Sequence, residues 1–248
     1  MEQNRVRKKK NRAGVSDMSK SYDEKVSEAL ELLGLHVKEK GLHVSLAFSH
    51  QNEDVIALSL AKLAGVNVSV FTLDTYKLFE QSLAYQKEIE AFFDVTIQAF
   101  SANGEAIKAL EAKVGEWGIF DDITLRKECC HVRKLLPLKE ALKDKDGWIT
   151  GVRAAQSITR SETVMQEFDT VHQMQKFNPL AFFSDADVAR YMQEHHLPQN
   201  ALYAKGFQSI GCQPCTRAIK EGEDIRAGRW WWENPEHKEC GLHVKVQL

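Results

Sequence analysis

Three short apolar runs, "LHVSLAF", "NVSVFTL" and "VTIQAF", are separated by the helix-length segments "EDVIALSLAKLAG" and "KLFEQSLAYQKEIEAFF". Strands that alternate with helical segments of that length need crossover connections, and these demand a mostly parallel sheet. A helix precedes the first run. It opens at a capping-box pattern from Ser21 to Glu24, carries Val26, Leu30, Leu33 and Val37 at helical spacing, and closes at Gly41. A fourth buried strand, "GWITGV", and a helix with a capping-box start at Ser184 continue the pattern. "CCHVRKLLPLKEALKD" reads as helical, with Pro137 marking an irregularity. The fold class expected is α/β, with a mostly parallel sheet. After Cys215 the periodicity stops, and "EGEDIRAGRWWWENPEHKECGLH" reads as a mobile tail that folds over something. The expected division is a flexible basic tail (1–20), an α/β domain (21–216) and a C-terminal tail (217–248).

Bulk charge excludes several partners. Charged residues make up 27% of the chain, yet the net charge is -2, which points to neither nucleic acid nor a membrane surface. The basic start, "MEQNRVRKKKNRAGVSDMSK", is followed by no apolar segment, so it is not a secretory signal. It reads as a solvated tail, with an anionic contact as the alternative. There are five cysteines, and without a signal peptide a cytoplasmic, reducing compartment is expected. Clustered cysteines there mean metal or catalysis more often than disulfides.

The cysteines form two close pairs and a singleton. Cys129 and Cys130 are adjacent, Cys212 and Cys215 form "CQPC", and Cys240 stands alone near the end. Two pairs of thiolates suit an iron–sulfur cluster or a Cys₄ zinc site, and four inert buried thiols remain the bland alternative. Adjacent residues are hard to place on one small ion, whereas a cluster offers separate iron corners. Cys240 is either an idle surface thiol or a nucleophile, with Lys238 and His243 close in sequence.

Two further features bear on chemistry. Ser49 lies in "AFSHQNEDV", where the first strand turns into a helix, the place at which open α/β sheets bind nucleotides. Lys134, one helical turn past Cys130, Arg160 after "GVRAAQSIT", and Arg226 and Arg229 in "IRAGRWWW" would together make an anion site, with the tryptophans covering it from water.

"CCHVRK", "CQPC" followed by "TR", "IRAGRWWWE", "KECGLH", "FTLDT" and "TGVRAAQS" resemble the assimilatory sulfonucleotide reductases, from about residue 22 to the end. The double pair of cysteines resembles the iron–sulfur branch, which typically uses adenosine 5'-phosphosulfate. The resemblance implies a Rossmann-like fold of the adenine nucleotide alpha hydrolase type, a mostly parallel sheet with helices on both faces, and a 4Fe–4S cluster on Cys129, Cys130, Cys212 and Cys215. It implies substrate contacts at Ser49, Leu73, Gly151 and Arg160 for the nucleotide, and at Lys134, Arg226, Arg229 and His243 around the sulfate. Cys240 matches the catalytic cysteine, which would form an S-sulfocysteine cleared by thioredoxin or a similar dithiol donor. The sequence leaves a homo-oligomer open. The alternative substrate is the 3'-phosphorylated nucleotide, for which Arg153 or Lys176 would have to supply a cation. Two positions depart from the family pattern: the turn "FSHQNED" is unusually polar, and Tyr76 stands where glycine is common.

Overall fold

The structure, a computed structural model, describes residues 20–115, 117–234 and 237–242. The expected basic tail (1–20), apart from Lys20, and His243 lie outside the described residues. The sheet contains six strands: β1 (Val44–Ala47), β2 (Val68–Leu73), β3 (Ile97–Phe100), β4 (Gly147–Ile149), β5 (Gln166–Asp169) and β6 (Met174–Phe177). Their order is β3-β2-β1-β4-β6-β5. All neighbours run parallel except β5, which pairs antiparallel with β6. The first four strands match the expected runs, and the β5–β6 hairpin is an addition.

Strand residues alternate between two cores, as the pleat requires. Val70 on β2 and Ile149 on β4 enter one core, while their neighbours Phe71 and Trp148 enter the other. The first core is covered by α1 (Tyr22–Leu33), α2 (Asn52–Leu63) and, further along, the helix Asp185–Glu194. Every residue of α2 from Asn52 to Ala61 is buried, so this helix lies in the middle of its layer. The sheet is thus sandwiched between helical layers, as the α/β reading required.

The helices that follow α2 complete the described set. They are α3 (Glu80–Phe93), α4 (Gly104–Val114), α5 (Gly118–Asp121), α6 (Ile123–Cys130), α7 (Leu136–Ala141) and α8 (Asp185–Glu194). α4 was not anticipated, although Asn103 caps its start and Gly115 its end. The irregularity expected at Pro137 is a π-helical turn at His131–Leu135, joining α6 to α7 and placed just before the proline, which sits in the first turn of α7. Such π-bulges are frequent at functional sites.

Both capping boxes form. Ser21 Oγ accepts from Glu24 N, while Ser21 N donates to Glu24 Oε2 at 2.8 Å. At α8, Ser184 N donates to Asp187 Oδ2 at 2.8 Å, and Lys25 Nζ on α1 donates to the same oxygen at 2.8 Å. Burial pushes the Asp187 carboxyl up, but Lys25 and Ser184 outweigh it and hold it below the usual range. A carboxyl with a depressed folded-state pKa stabilises the fold above its unfolded value near ~4, and that contribution disappears as pH falls through the folded value. Asp187→Ala, which leaves the buried Lys25 ammonium without this acceptor, is expected to cost about 1–3 kcal/mol at pH 7. The gap from wild type should close as urea unfolding is repeated at successively lower pH below ~4. A constant gap across that range would refute the assignment.

Candidate active site

Strand order reverses between β1 and β4, whose neighbours on the other side are β2 and β6. Open sheets bind ligands in the crevice beyond the carboxyl ends of the strands at such a point. A cleft lies there, about 980 Å³ when the open space at its mouth is included. Ser49, Leu73, Lys134, Gly151, Arg160, Arg226, Arg229 and Cys240 all line it. Thus the chain brings together every expected substrate contact and the expected nucleophile, apart from His243.

The end of the cleft expected to take the nucleotide is built by the turns after β1 and β4. Ser49 N and Oγ each donate to Asp54 Oδ2 at 2.7 Å, and Gln51 N donates to it at 3.4 Å. Burial pushes the Asp54 carboxyl up to about 7 despite these donors. Next to it, Glu53 Oε1 accepts from Arg153 Nε and Nη2 and from Gln156 Nε2. Gly151 lets β4 approach this turn, because a Cβ at Gly151 would lie 2.7 Å from Glu53 Cβ.

The cationic end is built by α6, the π-turn and the tail. Lys134 is buried, and the π-turn aims it so that it lines both the cleft and a second cavity. Burial lowers its pKa, but the Cys212, Cys240 and Cys130 sulfurs outweigh this and raise it. Arg229 Nη1 donates to Ile210 O at 3.0 Å, its Nε has no partner among the described residues, and its guanidinium lies over the Trp230 ring. A Cβ at Gly211 would overlap this guanidinium, so the glycine ahead of "CQPC" makes room for it. Arg160 Nε and Nη2 donate to the two Glu239 carboxylate oxygens, each at 3.1 Å, and Arg226 Nη2 lies 3.3 Å from Glu239 Oε1. Burial and the neighbouring Arg160 push Arg226 down to about 10.

The second cavity shares a wall with the cleft at Lys134, Cys212 and Trp230. Cys129, Cys130, Cys212 and Cys215 all line it. The turn after β2 holds the two pairs in place. Thr75 O accepts from Arg133 Nη1 at 2.7 Å, Thr75 Oγ1 accepts from Cys212 Sγ at 3.3 Å, and Lys77 O accepts from Gln213 N at 2.7 Å. Burial pushes the Cys130 thiol up to about 11 and the Cys215 thiol up to about 12. Burial also acts on Cys212, but Lys134, Thr75 and Arg229 outweigh it and bring its pKa below the ordinary value. Among the described residues no three His, Cys, Asp or Glu side chains converge as ligands of a single metal ion. Four thiols around one cavity, beside buried cations, are nevertheless a donor set suited to an anionic iron–sulfur cluster.

The tryptophans divide. Trp230 is buried and lines both cavities, whereas Trp231 is 41% exposed, meets Trp232 edge-on and lies against Phe120, which lines the cysteine cavity. Trp232 packs, half-buried, against the cluster of Cys130, Cys215 and Trp230. The reading of the sequence missed Glu239, adjacent to Cys240, and Arg126, one helical turn before Cys130 and fully buried. The (i, i+4) spacing of Arg126 and Cys130 was the available signal.

The sequence profile of the phosphoadenosine phosphosulfate reductase domain matches residues 43–218. The chain belongs to this family. Adenosine 5'-phosphosulfate reductase of Allochromatium vinosum is 41% identical over 215 residues, covering 87% of this chain and 84% of that protein. Its namesake from Rhizobium tropici is 45% identical over 173 residues, 69% of this chain and 96% of that one. Among solved structures, phosphoadenylyl-sulfate reductase from Candida auris superposes with a TM-score of 0.62 at 20% identity, covering 84% of this chain and 100% of that chain. FMN adenylyltransferase of Candida glabrata, solved with an ATP analogue, gives 0.55 at 12% identity, with 92% and 78% covered. At those identities the two structures establish the fold, which agrees with the adenine nucleotide alpha hydrolase expectation.

Gly151→Ala tests the nucleotide end. It is expected to weaken AMP binding by about tenfold, or ~1.4 kcal/mol, and to lower stability by about 1–3 kcal/mol. Equilibrium binding and urea unfolding would measure both. Unchanged AMP affinity would remove Gly151 from the site.

Proposed function

We propose that this chain is a cytoplasmic adenosine 5'-phosphosulfate reductase, which splits the substrate into sulfite and AMP with electrons from a thioredoxin-type dithiol. The observation that carries the reading is the shared cleft. One end offers the turns of Ser49 and Gly151, and the other gathers Lys134, Arg226 and Arg229 around Cys240. The family names of the relatives agree with it.

In the first step the Cys240 thiolate attacks the sulfur of the phosphosulfate. The S–O bond to the phosphate breaks, AMP leaves with the electron pair, and Cys240–S–SO₃⁻ remains. An anionic nucleophile, an anionic sulfonate and a departing phosphate all repel one another. Lys134, Arg226 and Arg229 offset that repulsion as preorganised donors, and losing one such donor typically costs about 10²–10³ in rate. In the second step one thiol of the dithiol attacks the Cys240 sulfur and releases sulfite. The second thiol resolves the mixed disulfide, so the dithiol supplies both electrons. Cys240 lines the cleft, so once AMP has left, the emptied cleft gives the dithiol protein access to its sulfur.

Cys129, Cys130, Cys212 and Cys215 would hold a 4Fe–4S cluster, which when bound supplies structural order and negative charge beside Lys134 rather than electrons. Lys134 lines both cavities and so relates the cysteines to the cleft.

The 3'-phosphorylated substrate is disfavoured by the two cations that would have to receive it. Arg153 is buried and donates to Glu53, Asp185 and Phe183 O. Lys176 is paired with Glu167 at 3.1 Å and lies over the Trp148 ring. A 3'-phosphate therefore finds neither cation free.

Two measurements test these points. Cys240→Ser is expected to abolish sulfite release while AMP binding, iron and acid-labile sulfide stay at wild-type levels; sulfite from that variant would refute the covalent route. Wild-type turnover with the two nucleotides, at saturating thioredoxin, should favour the substrate without a 3'-phosphate by at least about tenfold, or ~1.4 kcal/mol. Equal turnover would show that another group receives the extra phosphate.

A further inference from the structure

Arg126 makes four contacts with a segment more than a hundred residues away. Its Nε and Nη2 donate to Glu233 Oε1 and Oε2 at 2.7 and 2.6 Å, in the forked geometry a guanidinium favours. Its Nη2 also donates to His237 O at 2.9 Å, and its Nη1 donates to Glu239 O at 2.8 Å. The last acceptor belongs to the peptide bond that leads directly into Cys240.

A buried ion pair is weak evidence for stability, and stapling the tail to a helix serves the fold as well as the chemistry. Two observations point to the nucleophile. First, the Glu239 carboxylate holds the same segment through Arg160 and Arg226, which line the substrate cleft. An anionic substrate competes for those arginines and weakens that hold. Arg126 lies outside the cleft and borders the cysteine cavity instead, so its hold persists when substrate binds. Second, the Arg126 guanidinium lies 4.9 Å from the centre of the Trp230 ring, and Arg229 lies 4.5 Å from it. Trp230 thus fixes Arg126 relative to a cation of the cleft.

We propose that Arg126 is the positioning residue for Cys240: it fixes the backbone ahead of the nucleophile to the helix that ends in Cys130, whether or not the cleft is filled. It touches neither substrate nor reacting atoms. Its part in turnover rests on the reductase reading, whereas its hold on Cys240 does not.

Arg126→Lys keeps the charge and loses the fork. In the metal-loaded protein it is expected to lower kcat about ten- to hundredfold, the scale on which a misplaced reacting group slows an enzyme. The Kd for AMP should stay within about twofold, since Arg126 adds nothing to uniform binding. Alkylation of Cys240 by iodoacetamide, followed by peptide mass spectrometry, should become faster than in wild type both with and without AMP. Glu233→Gln, which weakens the same fork from the tail side, should shift all three in the same direction and decides the matter if the lysine variant does not fold. Wild-type alkylation rates in either variant, or kcat and AMP affinity falling together, would overturn the proposal. If wild-type protein makes no sulfite, the proposed function fails while the alkylation comparison still decides the role of Arg126.

Discussion

Positive charge buried at one end of the cleft is the constraint on which the rest of the structure turns. Lys134, Arg226 and Arg229 are all buried, and removing such groups from water is costly unless anions face them. Sulfurs and a carboxylate face them. Lys134 faces the sulfurs of Cys130, Cys212 and Cys240, and their combined effect outweighs its burial. Arg226 and Arg160 face Glu239, but Arg226 stays below its ordinary value because burial and Arg160 act against it. The tail therefore lies over the cleft for an electrostatic reason: it carries a carboxylate to guanidiniums that need one. The same imbalance prepares the cleft for a substrate with more negative charge than Glu239 can bring.

The parts legible in the sequence were those whose signals are local. Strands β1 to β4 announce themselves through short β-branched and apolar runs, and α1 and α8 through Ser-x-x-acid caps that the structure reproduces bond for bond. The two cysteine pairs share a cavity, which their pairing had suggested. Other parts rest on contacts that no window contains. β5 is short and polar and pairs only along its β6 edge, so it lacks the buried strand's apolar signature. Arg126 and Glu233 are 107 positions apart, and each alone reads as a surface charge. The tail has little regular structure because side-chain contacts, rather than a backbone ladder, position it. Its Thr216–Arg229 bridge is the isolated exception recorded among the described residues.

The two departures from the family pattern share one physical property. His50 has φ 68° and Tyr76 has φ 55°, in the left-handed region that glycine enters at little cost. Non-glycine residues held there store of order 1–3 kcal/mol each and persist when their surroundings over-determine them. His50 is buried, stacks edge-on with Phe48 at 5.0 Å, and has its carbonyl held by Asn200 Nδ2. Tyr76 N donates to Asp74 Oδ1 at 2.8 Å, and its hydroxyl donates to Ser101 Oγ at 2.9 Å. Tyr76 follows Thr75, whose two oxygens receive Arg133 and Cys212. The strain therefore sits in the two turns that border the cleft and the cysteine cavity, where backbone direction decides which groups meet.

The fold alone would not separate this chain from nucleotide enzymes of other chemistry, since structures solved with ATP or its analogue share its architecture. The difference lies in who occupies the turn after β1. A helix N-terminus at a strand's carboxyl end is an anion site by construction. Here Asp54, from the first turn of that very helix, fills it and takes the Ser49 and Gln51 amides and the Ser49 hydroxyl. Burial brings this carboxyl to about 7, so above that pH a phosphate entering the turn meets a negative charge as well as amides already engaged. In the proposed function the charged end of the ligand is therefore directed away from the turn and toward Lys134, Arg226 and Arg229, which line the cleft with Cys240. A ligand whose reactive anionic group projects from the 5' end of a nucleoside, and whose chemistry needs a thiol rather than a second phosphate site, is the kind this division of the cleft selects.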